Sequence, residues 1–141
     1  MDHILRREFM LDNYNNPTNK YKGPDDYIKI NSNSESCIDN IDIYYKIEDN
    51  IIKDICFDGE ACAISTSATS IMIKELIGKT VSDAKLILEN YKNMINEKEY
   101  NEDVLNELNA YSEIYLQPNR ITCALLPFNS LEKVLKEVEG E

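Results

Sequence analysis

The chain has 141 residues, 43% of them hydrophobic and 29% charged, and its formal net charge is −11. These values are typical of a soluble globular domain with a hydrophobic core, and we expect a single domain over residues 1–141. The negative charge argues against nucleic-acid binding and against docking on an anionic membrane, because both need a positive protein surface. It suits a protein partner with a basic patch instead.

The start of the chain and its hydropathy predict a cytoplasmic protein. Residues 1–8 lack the apolar core of a secretory signal, and no apolar run approaches the ~18 residues of a membrane helix. Thiols stay reduced in the cytoplasm. The four cysteines are therefore expected to serve metal binding or thiol chemistry, although they would allow about three disulfide pairings on paper.

Residues 1–40 are predicted to hold a short helix and a polar loop. The helix covers residues 4–14 and ends before Pro17. A first strand is expected at about Asp26–Asn31. The polar residues that follow form a mobile loop, which carries Cys37 and Asp39.

Residues 41–59 predict an antiparallel β-hairpin. Isoleucine and tyrosine alternate with mostly polar residues along the first strand. Residues 48–50 form the turn, and the second strand ends at Gly59. Strict alternation places Lys53 and Phe57 on one face of that strand and Cys56 on the other, with two aspartates. Cys56 is therefore expected at a solvent-facing or boundary position, with no role in a site.

Residues 62–139 predict the helical part of the domain. One helix begins near Cys62 and closes at Gly78, and Thr80 or Ser82 can cap the next helix, which has a strict apolar stripe. A shorter helix is expected around Val104–Tyr115.

A final helix follows Pro118, and Pro127 within its apolar stripe predicts a kink or a broken first turn. Strands that are followed by helices indicate an α+β fold. We expect a small antiparallel sheet of about three strands with helices packed against it.

Three cysteines lie in distinctive settings. Cys62 stands where a helix begins, so the helix dipole can lower the pKa of its thiol; a small residue that fits a tight strand–helix junction is the equal alternative. Cys37 lies in a loop that is too polar to bury it. Because an exposed cysteine is liable to oxidation, a cysteine at this position needs a functional reason. Asp39 is either a metal ligand or the first residue of an Asx turn.

Cys123 and Arg120 lie near the start of the last helix. As an isolated residue, Cys123 is more often a buried core cysteine than a ligand. Arg120, one turn earlier, can stabilise a thiolate, meet a partner carboxylate or remain a solvated surface residue. The single histidine, His3, lies near the chain terminus, so a histidine-based site is not expected.

Taken together, these settings resemble the NifU N-terminal/IscU family of iron–sulfur cluster assembly proteins, and within it the SufU type. The resemblance runs over essentially the whole chain. It is carried by Asp12-Asn13-Tyr14-Asn15-Asn16-Pro17-x-Asn19, Cys37-x-Asp39, Phe57-x-Gly59-Glu60-Ala61-Cys62-x-Ile64-Ser65, the insert around Lys98-Glu99-Tyr100, and Arg120-Ile121-x-Cys123-Ala124.

The resemblance implies a zinc-dependent sulfur acceptor, which works with a PLP-dependent, SufS-like cysteine desulfurase and with downstream cluster assembly proteins rather than as a stand-alone enzyme. Cys37, Asp39, Cys62 and Cys123 would bind Zn²⁺, and Cys37 would accept the sulfur. Arg120 would stabilise the site or dock the partner. The alternative within the family is an IscU-type scaffold that assembles a [2Fe–2S] cluster on the same thiolates.

Two features of the sequence bear on the choice between the SufU and IscU types. The long interval before Cys123 and the threonine at position 122, where IscU-type scaffolds have histidine, favour the SufU type. Ile38 replaces the glycine that the family usually has between the cysteine and the aspartate, which is expected to stiffen the loop.

Overall fold

The computed structural model describes residues 1–34 and 38–139, and its sheet has three antiparallel strands. The strands are β1 (Ile28–Asn33), β2 (Asn40–Glu48) and β3 (Ile51–Glu60), in the order β1-β2-β3. The predicted fold class and the hairpin are confirmed, and β1 lies two residues further along the chain than expected. Asp49 and Asn50 make the β2–β3 turn with positive φ angles of 54° and 60°, as a two-residue hairpin turn requires.

A β-bulge in the hairpin changes the predicted faces of β3. Lys46 pairs with Asp54, but Ile47 pairs with Ile52, so Lys53 is the extra residue. Lys53 is exposed, whereas Ile52 is buried. The strict alternation predicted for this strand was therefore wrong at its start.

Cys56 is buried, which corrects the prediction of a solvent-facing or boundary position. It lies opposite Tyr44, on the sheet face that the polar segment 21–27 covers. A Cβ atom added to Gly23 would lie 2.4 Å from Tyr44 Cγ, and Tyr27 Oη donates a hydrogen bond to Asp54 Oδ2 at 2.6 Å. Burial, with the nearby aspartates, raises the pKa of the Cys56 thiol to about 11.

The other face of the sheet packs in the hydrophobic core with the helices. These are α1 (His3–Asn15), α2 (Ala63–Leu76), α3 (Val81–Ile95) and α4 (Pro118–Glu139). Thr80 caps α3, as predicted: its Oγ1 accepts a hydrogen bond from Asp83 N at 3.1 Å. No helix in residues 1–34 and 38–139 is long and apolar enough to span a membrane.

The segment between α3 and α4 differs from the prediction. Instead of one helix around Val104–Tyr115, it forms three short 3₁₀ helices, at Glu102–Val104, Asn106–Tyr111 and Ile114–Leu116. Asn106 has a positive φ of 48°, which a continuous α-helix does not allow.

Pro127 does not break α4, because the helix runs from Pro118 to Glu139. Proline has no N–H to donate to the carbonyl four residues earlier, which belongs to Cys123. Ser65 Oγ lies 3.1 Å from that carbonyl oxygen. The next carbonyl, that of Ala124, accepts a hydrogen bond from Tyr91 Oη at 2.8 Å. Two buried hydroxyl groups thus lie against the turn that the proline modifies.

Candidate metal centre

Three of the predicted site residues lie together at one end of the hairpin. Asp39 directly precedes β2, Cys62 lies two residues after the end of β3 and caps α2, and Cys123 lies on α4. One carboxylate oxygen and the two Sγ atoms all lie within 4.8 Å of one another. The fold therefore assembles one cluster from chain positions that the sequence separates widely.

The N-terminus of α2 holds the Cys62 side chain. Cys62 has extended backbone angles, and its Sγ accepts a hydrogen bond from Ser65 N at 3.4 Å. The sulfur thus occupies the place of an N-cap oxygen, where the helix N–H groups and the helix dipole favour negative charge. The side chain remains partly exposed, so it is accessible from solvent.

Asp39 is almost completely buried, with 2% of its surface exposed, and its carboxylate is well supplied with donors. Cys62 N donates to Oδ1 at 2.7 Å, and Ser65 Oγ donates to Oδ2 at 2.6 Å. Burial alone would raise the pKa of Asp39. The hydrogen bonds from Ser65, Cys62 and Cys123 outweigh it and lower that pKa below its usual value. The site therefore holds a carboxylate anion beside two thiols.

Gly59 sets the close approach of the two chain segments that carry Asp39 and Cys62. Its φ of +121° lies in a region that L-residues rarely adopt. A Cβ atom at this position would lie 2.4 Å from the carbonyl oxygen of Asn40. Since Asn40 is adjacent to Asp39 in the chain, a larger residue at 59 would push the aspartate away from the helix N-terminus.

Cys123 and Arg120 differ in their relation to the cluster. Cys123 is buried, as the core interpretation required, but it also lies with the other two ligand atoms. Arg120 is exposed in the first turn of α4. Among the described residues its side chain takes part in no ion pair.

Cys37, the predicted sulfur acceptor, lies outside the described residues. The described residues on either side of it are joined, because Ser34 N donates to the Asp39 carbonyl oxygen at 3.1 Å. Ile38 is 71% exposed, so the branched side chain that replaces the usual glycine does not fill space in the core.

An open cleft of about 450 Å³ lies beside the cluster. Its walls come from the N-terminal motif and from Ile38 and Ala61, the chain neighbours of Asp39 and Cys62. The residues that line it are Tyr14, Asn15, Pro17, Lys20, Ile38, Glu60, Ala61 and Thr66.

The donor set fits a borderline metal ion such as zinc. Zinc is bound in proteins by cysteine thiolates and aspartate oxygens, commonly four in a tetrahedron. Two thiols and one buried carboxylate meet this chemistry, and the sequence places a third thiol, that of Cys37, two residues before Asp39.

Sequence reasoning missed the part that Ser65 plays. Its hydroxyl contacts Asp39, Cys62 and the Cys123 carbonyl, although it entered the sequence analysis only as the last letter of a motif. The available signal was its place three residues after Cys62, where a helix-capping residue meets the first turn.

Comparison with known proteins identifies the family. A model of the NifU-like N terminal domain matches residues 5–133. The chain belongs to this family. It is 33% identical over 137 residues to the zinc-dependent sulfurtransferase SufU of Bacillus subtilis, covering 96% of this chain and 92% of that protein. It is 30% identical over 135 residues to the iron–sulfur cluster assembly scaffold protein IscU of Thermotoga maritima, with coverages of 96% and 95%.

Solved structures of the NifU-like N terminal domain family share the fold. A crystal structure from Fervidobacterium islandicum AW-1, described as an iron–sulfur cluster assembly scaffold for the SUF system, superposes with a TM-score of 0.80 at 31% identity. It covers 96% of this chain and 99% of the other. A NifU-like N-terminal domain from Brucella abortus, at 18% identity, has a TM-score of 0.80 over 99% of both chains. The chain is thus an iron–sulfur cluster assembly protein of the NifU/SufU/IscU kind.

Proposed function

We propose that this protein accepts persulfide sulfur from a cysteine desulfurase at a zinc-bound site made by Cys37, Asp39, Cys62 and Cys123. The observation that carries the proposal is the cluster of two thiols and a buried carboxylate, whose ligand atoms lie within 4.8 Å of one another. The similarity to a zinc-dependent sulfurtransferase supports it.

Each residue of the cluster has a separate task in this proposal. Asp39 and Cys123 are buried and act as fixed ligands. Cys62 is held by the N-terminus of α2, because its Sγ accepts a hydrogen bond from Ser65 N. Bound zinc would keep the thiols deprotonated and protected until the partner docks.

Cys37 is the proposed acceptor because the sequence places it in a polar segment next to the site. Its thiolate attacks the outer sulfur of the desulfurase persulfide, so a new S–S bond forms on Cys37. The S–S bond of the donor breaks, and the donor cysteine leaves as a thiolate. One neutral sulfur atom is transferred, and the step needs no external oxidant or reductant.

The proposed partner is a PLP-dependent, SufS-like desulfurase in the cytoplasm, and downstream cluster assembly proteins would receive the sulfur. Arg120 is exposed near Cys123 and without an ion pair among the described residues, which suits a docking contact. The net charge of −11 favours a basic surface on the partner.

A second candidate is a scaffold that assembles and passes on a [2Fe–2S] cluster. The observation in its favour is the similarity to the Thermotoga scaffold, at 30% identity over nearly the same length. Cysteine thiolates bind such clusters as well as zinc, so the described ligands alone serve both.

The metal and acid-labile sulfide content of protein purified without air and without added metal separates the two. About one zinc per chain without sulfide is expected for a tetrahedral site. Iron with matching sulfide would favour the scaffold. A protein that carries neither metal, and that binds no added zinc, would contradict the proposal.

Sulfur transfer is tested with labelled cysteine and a SufS-like desulfurase. The Cys37→Ala variant should fold and yet accept no sulfur. Cys56→Ala is the matched control, because Cys56 is buried outside the cluster and its loss should leave transfer intact. Normal transfer to Cys37→Ala would contradict the role of Cys37.

A further inference from the structure

Ser65 is the residue that touches every described member of the candidate metal centre. It is completely buried. Its Oγ lies 2.6 Å from Asp39 Oδ2, 3.6 Å from Cys62 Sγ and 3.1 Å from the Cys123 carbonyl oxygen. No other hydroxyl group in the described hydrogen bonds contacts all three residues.

Counting protons decides what this hydroxyl does. It has one hydrogen to donate and two acceptors, Asp39 Oδ2 and the Cys123 carbonyl oxygen. The bond to the carboxylate is the shorter and is charge-assisted, so Asp39 is the preferred acceptor. The Cys62 thiol donates to the hydroxyl oxygen of Ser65 at 3.6 Å. Ser65 therefore connects one thiol to the carboxylate.

Pro127 explains why a second acceptor exists beside Ser65. In an uninterrupted α-helix, the N–H of residue 127 would bond to the Cys123 carbonyl, but proline has none. Ser65 approaches that carbonyl from α2. The hydroxyl therefore lies between Asp39 and the turn of α4 that carries Cys123, within hydrogen-bond distance of both.

We infer that Ser65 is a positioning residue of the candidate metal centre, which holds the Asp39 carboxylate facing the two thiols and thereby strengthens metal binding. The inference rests on the proposed function, since it concerns the same site. Hydrogen bonds to a ligating carboxylate typically change metal affinity about 10–100-fold. Loss of the hydroxyl leaves the ligand atoms present, but of the two shortest hydrogen bonds that hold the carboxylate it leaves only the one from Cys62 N to Oδ1.

The test is a comparison of zinc affinities, measured by competition with a chromophoric chelator. Ser65→Ala should bind zinc about 10–100-fold more weakly than the wild type. Ser67→Ala is the matched control: Ser67 is also buried in α2, but its hydroxyl bonds to Tyr111 Oη at 2.6 Å and, in the described hydrogen bonds, to no residue of the cluster. Its zinc affinity should stay close to that of the wild type.

A double-mutant cycle separates positioning from general support of the fold. In an Asp39→Ala background, Ser65→Ala should cause no further loss of affinity, because it acts through the carboxylate. The absorption spectrum of the cobalt-substituted protein supplies a second readout, since it reports ligand geometry. It should change in Ser65→Ala and remain unchanged in Ser67→Ala.

Four results would overturn the inference, in different ways. Equal zinc affinity of Ser65→Ala and the wild type removes it and leaves the proposed function standing. An equal loss with and without Asp39 assigns Ser65 a purely structural role. If the wild type binds neither zinc nor cobalt, the proposed function fails as well. Should Ser65→Ala not fold, Ser65→Thr keeps the hydroxyl and must bind zinc like the wild type; a loss of tenfold or more would refute the inference.

Discussion

Replacing Gly59 by alanine tests how the backbone holds the candidate metal centre together. The new Cβ would lie 2.4 Å from the Asn40 carbonyl oxygen and 3.0 Å from Ile41 Cα. Both of these atoms belong to backbone, which cannot swing aside as a flexible side chain can. Strand β2 must therefore move away from β3 at the end where Asp39 meets Cys62.

The expected cost has two parts. A non-glycine residue at a φ of +121° carries backbone strain of about 1–3 kcal/mol. Moving β2 away from β3 weakens the ladder hydrogen bonds at the Ile41–Gly59 pair, each of which contributes about 1 kcal/mol. With one or two such bonds weakened, the sum is roughly 2–5 kcal/mol, which lowers the unfolding temperature by on the order of 10 °C in a domain of this size.

Alanine substitutions at two other glycines separate the cost of backbone strain from the cost of the close contact. Gly78 has a φ of +89° but no atom within 4 Å of an added Cβ, so Gly78→Ala incurs only strain. Gly23→Ala has the contact, 2.4 Å from the Tyr44 ring, without an unusual φ. Thermal and urea unfolding of the metal-free proteins give the free energies, and chelator competition gives the zinc affinities.

The ranking of the three variants by stability and by zinc affinity tests this reasoning. Gly59→Ala should be the most destabilised of the three variants, and it should be the one that loses zinc affinity, because it alone displaces Asp39. If Gly59→Ala is no less stable than Gly78→Ala and binds zinc as tightly, the close approach to Asn40 does not position the site, and the reasoning fails.

Three further predictions concern the rest of the domain. Thr80→Ala should lower the free energy of unfolding by about 1 kcal/mol, because α3 loses its N-cap hydrogen bond; chemical denaturation measures this. Tyr45→Phe should cost about 1–3 kcal/mol in the same assay, because Ser130 Oγ loses its buried partner at 2.8 Å. In the folded, metal-free protein, iodoacetamide at pH 8 should alkylate Cys62 well before Cys56, which is buried with a thiol pKa raised to about 11; peptide mass spectrometry follows both.

Each of these predictions has an internal control. Ser82→Ala, which removes an exposed hydroxyl at the second residue of α3, should leave stability unchanged, and an equal loss would contradict the cap assignment. Adding Ser130→Ala to Tyr45→Phe should recover part of the loss, since neither partner is then left unpaired. Cys56 should react in denaturant at the rate of the other cysteines; rapid alkylation in the folded state would contradict its burial.

Periodicity was a reliable guide where one face of an element meets water. The apolar stripe of α3 is of this kind, and its side chains are buried; along β2, the alternation correctly predicted the burial of Ile41, Ile43 and Tyr45. The resemblance supplied the order of the ligand motifs. In the structure, the ligand atoms of Asp39, Cys62 and Cys123 lie within 4.8 Å of one another. Their spacing in the sequence does not reveal this proximity, because the three residues come from separate parts of the chain.

The sequence did not predict the residues that are buried for a reason other than a periodic apolar pattern. Cys56 alternates with aspartates, but its cover is the polar segment 21–27, which has no periodic pattern. Helix α2 buries a run of small hydroxyl residues on all sides, so no stripe singles out Ser65. The bulge at Lys53 and the positive φ of Asn106 are single-residue events that a windowed pattern averages away.

The outer edge of β3 bears on how this protein avoids pairing with other chains. Phe57 N donates to the Asn19 carbonyl oxygen, and Asn19 Nδ2 donates to the Ile55 carbonyl oxygen. Further along, Ile52 exchanges both backbone hydrogen bonds with Lys79 and Gly78. An open strand edge is a template for intermolecular β-pairing. Here the segments around Asn19 and Lys79 bond to those groups. Protection of this edge against β-pairing therefore depends on the integrity of these two segments.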